Sequence, residues 1–344
     1  MKARSVAQEL AFGPVSFYAA VVMRDTGLLR AVADAGREGA TPETLAECVG
    51  LSRYGVSVLL DFGVDLSLVR REEDRFVLEN VGYFVLNDEM TRVNMNFTRD
   101  ICYQALPFLE TSIREGRPAG LHTLGPWNTV YEGLSQLEEP ARSSWFEFDH
   151  YYSDQVFDHL LPMVFDRKVR TLVDIGGNTG KWALHCLRYD ADVQVTLVDH
   201  PGQLDMARER IEGEGLGSRA QYWPADVLDP KVRFPAGADA YWMSQFLDCF
   251  SEAQIIGILG HAADVMTPDS ALHIVEPFAD RQSFDAAAFC LNATSLYFTC
   301  VANGNSRMYH YDRFAGLVDE AGLEITAEVD LSFGHSLLTC RLKR

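Results

Sequence analysis

Three aspartates stand at the ends of predicted strands, where a protein could hold a nucleoside. Asp174 closes the apolar run TLVD, Asp199 closes ADVQVTLVD, and Asp226 closes a third run, QYWPAD. The carboxyl ends of parallel strands meet at one edge of a sheet, so we expect the three carboxylates to lie close together. Asp199 could then accept both ribose hydroxyls, and Asp226 could accept the amino group of adenine. The alternative is that all three are solvated loop acids of an acidic protein.

A glycine-rich turn, GGNTG, connects the first of these strands to a predicted helix that begins at Lys181. Glycine lets the backbone approach a ligand that a Cβ atom would push away. The turn lacks the GK[ST] of a phosphate loop and the six-residue G-x-G-x-x-G of dinucleotide sites. Its G-x-[GN]-x-G spacing suits a nucleoside with a zwitterionic amino-acid tail, which predicts S-adenosylmethionine (SAM) as cofactor. The candidate cofactor-binding residues here are Asp174, Gly176, Gly177, Asn178 and Gly180.

Strands alternate with helices through the second half of the chain. This alternation predicts an α/β fold with a mainly parallel sheet and helices on both faces. Ligands of such sheets bind at the carboxyl ends of the strands, where Glu276 and the segment after Gln245 also fall. The predicted strands are the run that closes at Asp174, then 191–198, 221–226, 239–245, 271–275, 323–329 and 336–342.

The N-terminal region has the pattern of a winged helix. Helices are predicted over 17–35, 42–49 and 53–66, and short strands over 69–77 and 83–86. In isolation this pattern indicates DNA binding. The third helix, RYGVSVLLDFGVDL, has one arginine and two acids among apolar residues, whereas a DNA-reading helix should be basic. The sequence therefore favours contact with another subunit.

The middle of the chain is predicted to be helical over 91–117, 131–137 and 140–159. Aromatic residues are dense between 127 and 152. They fit either a helical core or the wall of a pocket for a flat substrate, and the sequence leaves both interpretations open.

Composition narrows the possible partners and the compartment. The 344 residues carry a formal net charge of −19, which argues against nucleic acid or an anionic membrane as partner. Seven cysteines without a C-x-x-C pair indicate reduced thiols and a cytoplasmic protein. We find no signal pattern, no apolar run of membrane-spanning length, and no metal-ligand spacing among the nine histidines.

Nearly the whole chain resembles the SAM-dependent small-molecule O-methyltransferases of the plant caffeate type and their bacterial relatives in pigment and antibiotic pathways. The resemblance rests on VDIGGNTG, LVDHP, the AD of the third strand, DEAGL and the spacings between them. It implies a Rossmann-like SAM methyltransferase domain (151–344) with a mainly parallel seven-stranded sheet. An α-rich winged-helix dimerisation domain (1–95) and connecting helices that form part of the substrate pocket (96–150) would precede it.

The resemblance also implies a homodimer, a small aromatic substrate and particular cofactor contacts. By position, the family's SAM contacts fall on Gly176, Asp199, Asp226 and Val227. The family's cofactor-contacting lysine falls on Met243, which cannot make that contact.

The catalytic pattern departs from the family. The histidine that takes the substrate's proton falls on Leu247 of SQFLDCFSE, while the following aspartate is kept as Asp248. One of the family's flanking acids matches Glu276, and the other falls on Ser306. Three explanations stay open: methylation by proximity and orientation alone; another base; or a SAM-binding scaffold or SAM-assisted isomerase. The candidates for another base are Asp248, Glu276, His150 and His310.

We expect methyl transfer, to oxygen or to a ring carbon of a phenolic or polyketide-like substrate of secondary metabolism. Two other classes would behave differently. A winged-helix regulator would shift a labelled duplex in a salt-sensitive way. An oxidoreductase on the same frame would bind a nicotinamide or flavin.

Overall fold

The computed structural model describes residues 2–154, 156–331 and 334–343, except for the side chains of residues 153 and 154. The chain divides into two compact units, Met1–Thr98 and Arg99–Arg344. The sequence predicts a first boundary at residue 95 and a second one at residue 150.

The first unit is helical with one small hairpin. Its elements are α1 (Lys2–Ala11), α2 (Gly13–Asp25), α3 (Leu28–Asp34), α4 (Pro42–Val49), α5 (Arg53–Asp65), β1 (Val69–Glu72), β2 (Arg75–Leu78), α6 (Asn80–Asn87) and α7 (Glu89–Phe97). Leu28, Val32, Val56, Leu60 and Phe76 belong to its core, which joins these helices to the hairpin.

Local signals explain where the helices of the first unit begin and end. The Thr41 hydroxyl accepts the Thr44 N–H, and Pro42 occupies the first position of α4. Ser52 caps α5 in the same way through Gly55. The single helix predicted over 17–35 was wrong, because Gly27 adopts a left-handed φ of 81° between α2 and α3.

The predicted strand pair was also wrong in its second member. The hairpin lies entirely within 69–78 and turns at Glu73, whose φ is 55°. Residues 83–86 belong to helix α6 instead. Aromatic and branched side chains there suggested a strand, but Val85 and Gly82 pack as one buried face of a helix.

The second unit contains the sheet. Its first part is helical, with α8 (Leu109–Glu115), α9 (Val130–Gly133), α10 (Ala141–Asp154) and α11 (Phe157–Val164). The continuous helix predicted over 91–117 was wrong. The chain passes through a π turn at Thr98–Cys102 and a 3-10 turn at Leu106–Phe108 that contains Pro107, and a proline inside a helix removes a backbone donor.

The α/β part alternates as predicted. It comprises β3 (Thr171–Ile175), α12 (Lys181–Tyr189), β4 (Gln194–Asp199), α13 (Pro201–Gly213), β5 (Ala220–Pro224), β6 (Ala240–Ser244), α14 (Glu252–Ala263), β7 (Ala271–Pro277), α15 (Asp285–Tyr297), α16 (Tyr311–Glu320), β8 (Leu323–Asp330) and β9 (His335–Leu342).

The seven strands pair in the order β5-β4-β3-β6-β7-β9-β8. All neighbours are parallel except β9, which runs antiparallel to both β7 and β8. The predicted third strand was two residues too long. It ends at Pro224, and Asp226 opens a turn in which its carbonyl accepts the Asp229 N–H.

Side chains alternate between two hydrophobic cores, one on each face of the sheet. In β6, Tyr241 and Met243 pack on one face, and Ala240 and Trp242 on the other. This alternation follows from the two-residue period of a strand. Two covered faces leave the strand ends as the place where polar groups can meet a ligand.

Helices α1 and α2 together have the length and composition of a membrane span but bend by 66° between them, and no single described helix passes that test.

Candidate functional site

The glycine-rich turn leaves strand β3 and bends the chain directly into helix α12. Gly176, Asn178 and Gly180 have left-handed φ angles of 77°, 47° and 75°. The Gly180 N–H donates to the Gly177 carbonyl at 2.8 Å and closes the turn. Asparagine tolerates the left-handed region better than most residues, so the turn survives without the family's middle glycine.

A side chain added at the glycine positions of the turn would meet close neighbours. A Cβ atom at Gly176 would lie 2.3 Å from the ring of Phe246, and one at Gly180 would lie 2.9 Å from the Cβ of Ala207. At Gly177 it would lie 3.1 Å from Oδ2 of Asp174. The backbone therefore forms a close-fitting cradle at the strand edge, as a nucleoside site requires.

Asp199, at the end of β4, is held in a fixed orientation by the turn. Its Oδ2 accepts the Asn178 N–H at 2.8 Å, and its Oδ1 accepts the His200 N–H at 2.7 Å. A carboxylate has about four acceptor positions, so each oxygen keeps capacity for a ligand. Burial raises the pKa of Asp199, and the two N–H groups oppose that rise.

Asp174 is 2% exposed, and its Oδ2 has no hydrogen-bond partner among the described residues. Burial, reinforced by the charge of Asp199, raises the pKa of Asp174 to about 8. The carboxyl group is therefore mainly protonated at neutral pH in the free protein. A cationic group placed against it would favour the ionised form.

A pocket opens over the turn. It is lined by Asp149, His150, Phe157, Asp174, Gly176, Gly177, Asn178, Thr179, Lys181, Trp182, Trp242, Ser244 and Gln245. Five buried polar atoms of these residues have no partner in the part of the chain that the structure describes: Asp174 Oδ2, Asn178 Oδ1, Trp182 Nε1, Ser244 Oγ and Gln245 Nε2. Buried polar groups are nearly always hydrogen-bonded, so five together indicate a polar ligand.

Four of the predicted cofactor residues do not line this pocket: Gly180, Asp199, Asp226 and Val227. Asp226 is exposed beyond β5, and its Oδ1 accepts the Leu228 N–H at 2.9 Å. Val227 is buried in the hydrophobic core. Both follow the strand that pairs with β4, so Asp226 and Asp199 share the carboxyl edge of the sheet.

Helix α10 contributes two polar side chains to the pocket. Asp149 Oδ2 accepts a hydrogen bond from Nδ2 of Asn178 at 2.9 Å. His150 lies with Nε2 3.4 Å from the Thr179 hydroxyl, and its ring stacks on Phe146. The structure therefore places the predicted candidate His150 beside the glycine-rich turn.

Leu247, which the resemblance places at the family's histidine position, is fully buried in the core. It begins a short 3-10 turn, Leu247–Cys249, after β6. Glu276 holds this turn, because its Oε1 accepts the N–H groups of Phe246 at 3.0 Å and Leu247 at 2.8 Å. Burial and the charge of Asp248 raise the pKa of Glu276 well above its usual range.

Asp248 is 5% exposed, and burial raises its pKa to about 6. The Cys249 thiol donates to its Oδ1 at 3.4 Å. The buried Tyr131 hydroxyl lies near the same thiol, and the pKa of Tyr131 is raised by burial first and then by Cys249. Asp248 does not line the pocket over the glycine-rich turn, and it stays a base candidate whose pKa burial raises towards neutral pH.

The remaining family positions have other surroundings. His310 is exposed just before α16, while its neighbour Tyr309 points inward and donates to the Phe250 carbonyl at 2.7 Å. The structure therefore does not bring His310 to the pocket. Ser306 is buried and donates to Asn303 Oδ1 at 3.0 Å. Nowhere in the described ranges do three His, Cys, Asp or Glu side chains group as a metal site would.

Sequence reasoning missed Ser244, Gln245 and Trp182 as pocket residues. Gln245 has a left-handed φ of 45°, which is uncommon for a residue that is not glycine and often marks a functional site. The polar SQ pair at the end of an apolar strand was the available signal.

The wound sheet with antiparallel β9, together with the glycine-rich turn at its edge, is the Rossmann-like fold of methyltransferase structures. The chain belongs to the O-methyltransferase domain family, whose model matches residues 129–324, more than half of its length. Residues 4–76 match the model of a Dimerisation2-like domain. The family uses SAM, so this protein is a SAM-dependent methyltransferase with an N-terminal helical dimerisation domain.

Similar proteins act on aromatic compounds. The 3-amino-4-hydroxybenzoate 4-O-methyltransferase of Streptomyces cremeus is 26% identical over 324 residues, 93% of this chain and 85% of that protein. The 3-hydroxy-5-methyl-1-naphthoate 3-O-methyltransferase of Streptomyces sahachiroi is 26% identical over 275 residues, 78% of this chain and 76% of that protein.

Solved structures share the fold. The mitomycin 7-O-methyltransferase structure matches with a TM-score of 0.73 and 21% identity, over 99% of this chain and 98% of that one. An O-methyltransferase from neocarzinostatin biosynthesis, in complex with SAM and 2-hydroxy-5-methyl naphthoic acid, matches with a TM-score of 0.67 and 21% identity, over 95% of this chain and 96% of that one.

Proposed function

We propose that this protein transfers the methyl group of SAM to a phenolic oxygen of a small aromatic substrate in secondary metabolism. The observation that supports it best is the cradle at the edge of the sheet, where the glycine-rich turn holds the Asp199 carboxylate and borders a pocket with five unpartnered polar atoms. The aromatic substrates of the curated relatives support the substrate class.

The residues present fit SAM. Asp174 would accept its ammonium group, and the carbonyl edge of the turn at Gly176 would lie alongside the tail. Asp199 keeps one acceptor position on each oxygen, which suits two ribose hydroxyls. Asp226 has its Oδ2 available for the adenine amino group, and Val227 would pack against the base. Gly177, Asn178 and Gly180 would shape the turn.

SAM supplies a sulfonium methyl group that an oxygen or carbon nucleophile can take directly. What the chain must contribute is alignment, exclusion of water and a place for the substrate's proton. Leu247 cannot take a proton. Asp248, with its pKa near 6, can accept one at neutral pH and is our proposed base. Glu276 accepts two backbone N–H groups and would hold in place the 3-10 turn that contains Asp248.

A ring carbon is the second candidate acceptor. Relatives differ in the atom that they methylate: one similar protein, 25% identical over 118 residues, is the phenazine-1-carboxylate N-methyltransferase of Pseudomonas aeruginosa. The same alignment of nucleophile and sulfonium serves either atom, so the position of the phenol in the pocket would decide between them.

We also propose that the protein works as a homodimer through its N-terminal unit, which matches a Dimerisation2-like domain.

The test is incubation with SAM carrying a labelled methyl group and a panel of hydroxybenzoates and hydroxynaphthoates. We expect a labelled product whose methyl carbon is bonded to oxygen, identified by mass spectrometry and NMR. Calorimetry with SAM, its demethylated product and NAD provides the binding control. Measured SAM binding with every phenol recovered intact would favour a scaffold or isomerase, and absence of SAM binding would contradict the proposal itself.

A further inference from the structure

The amino-acid tail of SAM carries a carboxylate as well as an ammonium group. The resemblance places the family's cofactor-contacting lysine at Met243, which is fully buried in the hydrophobic core and brings no positive charge to the pocket. A negatively charged carboxylate therefore needs other donors in this chain.

Helix α12 brings one such donor to the pocket. Trp182 is 4% exposed, and its Nε1 has no acceptor within the described ranges. The indole is fixed by stacking on Trp242, with ring centroids 3.9 Å apart and planes at 14°. Trp182 lies in the first turn of a nine-residue helix whose positive end favours an anion, and Lys181 beside it lines the same pocket.

The end of strand β6 brings two more polar groups. Ser244 Oγ and Gln245 Nε2 are both buried without a hydrogen-bond partner in the described part of the chain. Gln245 adopts a left-handed φ of 45° while its N–H still donates to the Val275 carbonyl at 2.8 Å. Such a conformation is uncommon for a residue that is not glycine, and the Gln245 side chain lines the pocket.

We propose that Trp182 Nε1 and Gln245 Nε2, with Ser244, bind the carboxylate of the SAM tail in place of the missing lysine. Asp174 would bind the ammonium group at the other side of the same pocket. Donors from α12 and from the end of β6 would then bind the carboxylate of the tail, and Asp174 of β3 would bind its ammonium group. This inference rests on the proposed SAM binding and specifies how this chain achieves it.

The test compares two ligands that differ only in the carboxylate: SAM and decarboxylated SAM, which keeps the sulfonium and the amine. Calorimetry measures the affinity of each for the wild type, Trp182→Phe and Gln245→Met. Phenylalanine keeps an aromatic ring for the stack but lacks the N–H, and methionine keeps the length of glutamine. A hydrogen bond to a charged group corresponds to roughly a tenfold change in affinity or more.

We expect each variant to bind SAM about 10-fold more weakly and decarboxylated SAM unchanged. Two controls define the pattern. Asp174→Asn should weaken both ligands by a similar factor, because both keep the amine. Trp242→Phe, which alters the other ring of the stack, should leave the ratio of the two affinities as in the wild type.

Equal losses for both ligands in Trp182→Phe and Gln245→Met would mean that these residues only maintain the pocket's shape, and would overturn the inference. Unchanged SAM affinity would overturn it as well. A wild type that binds neither ligand would instead contradict the proposed function. Thermal melting of the ligand-free variants shows whether each is folded before binding is compared.

Discussion

Two buried aspartates near the proposed site have raised pKa values, and their positions suit them to different tasks. Asp174 lines the cofactor pocket, and its pKa is raised to about 8. The pKa of an aspartate in an unfolded chain is near 4. Between this value and the folded pKa of about 8, the unfolded state has released a proton that the folded state keeps. The free energy of unfolding therefore falls as the pH rises through this interval. A cationic ligand removes this cost. The pKa of Asp248 is raised only to about 6, so this carboxyl group can be ionised at neutral pH without a cationic ligand.

We predict that Asp248 determines the acid limb of the pH–rate profile of the enzyme. If its carboxylate takes the substrate's proton, kcat/KM should fall about tenfold per pH unit below pH 6, where the group is protonated. Asp248→Asn should remove this limb and lower kcat by about 10²-fold to 10⁴-fold. The measurement is a pH–rate profile of both proteins with one phenolic substrate.

Glu276→Gln is the matched control for this prediction. The amide oxygen of glutamine can still accept the Phe246 and Leu247 N–H groups, so the limb should stay near pH 6. If proximity alone drives the reaction, the wild-type profile should instead follow the ionisation of the phenol, near pH 10 for an unactivated ring. A limb at that pH, unchanged in Asp248→Asn, would exclude Asp248 as the base.

At the scale of elements, Asn178 joins the cofactor turn to helix α10. Its N–H donates to Asp199 while its Nδ2 donates to Asp149, so one residue connects the end of β4 with a helix that lines the pocket. A glycine at this position would keep the left-handed turn but lose the second bond. The departure from the family's glycine therefore has a structural consequence.

We predict that Asn178→Gly loosens α10 without unfolding the turn. Amide hydrogen exchange in residues 141–154 should become faster, while exchange in β3 and β4 stays as in the wild type. Asn178→Asp is the sharper comparison, because it replaces the donor by a carboxylate beside Asp149 and should loosen α10 further. Equal exchange in all three proteins would show that the helix does not depend on this bond.

The sequence predicted the elements with local signals and missed contacts between distant residues. The turn after Asp174, the helices that begin at residues 42 and 53 and the alternation of strands and helices were predicted correctly, because each depends on neighbouring residues. The hold of Glu276 on the Leu247 turn spans 29 residues, and no pattern along the chain indicates it. The strand predicted over 83–86 was wrong for the same reason, because packing in the folded chain outweighed the strand propensity of these side chains and made them part of a helix.

At the scale of the whole molecule, the N-terminal helices leave large apolar side chains exposed. None of the residues of α1 is buried in the described chain, and an isolated helix of ten residues is marginal in water. Large apolar side chains on α1 and around the start of α2 are exposed, with Leu10 at 76% and Val15 at 54%. A second copy of the chain would cover them, in agreement with the Dimerisation2-like match over residues 4–76.

The corresponding prediction concerns mass in solution. Light scattering during size-exclusion chromatography should give twice the 38.5 kDa chain mass for the wild type. The double variant Leu10→Glu/Val15→Glu should shift towards the monomer, because two charges would have to be buried without partners in the interface. Gln8→Glu adds a charge to α1 without replacing an apolar side chain and should stay dimeric. A monomeric wild type would contradict the proposed homodimer. A double variant that is as dimeric as the control would show that the interface does not involve Leu10 and Val15.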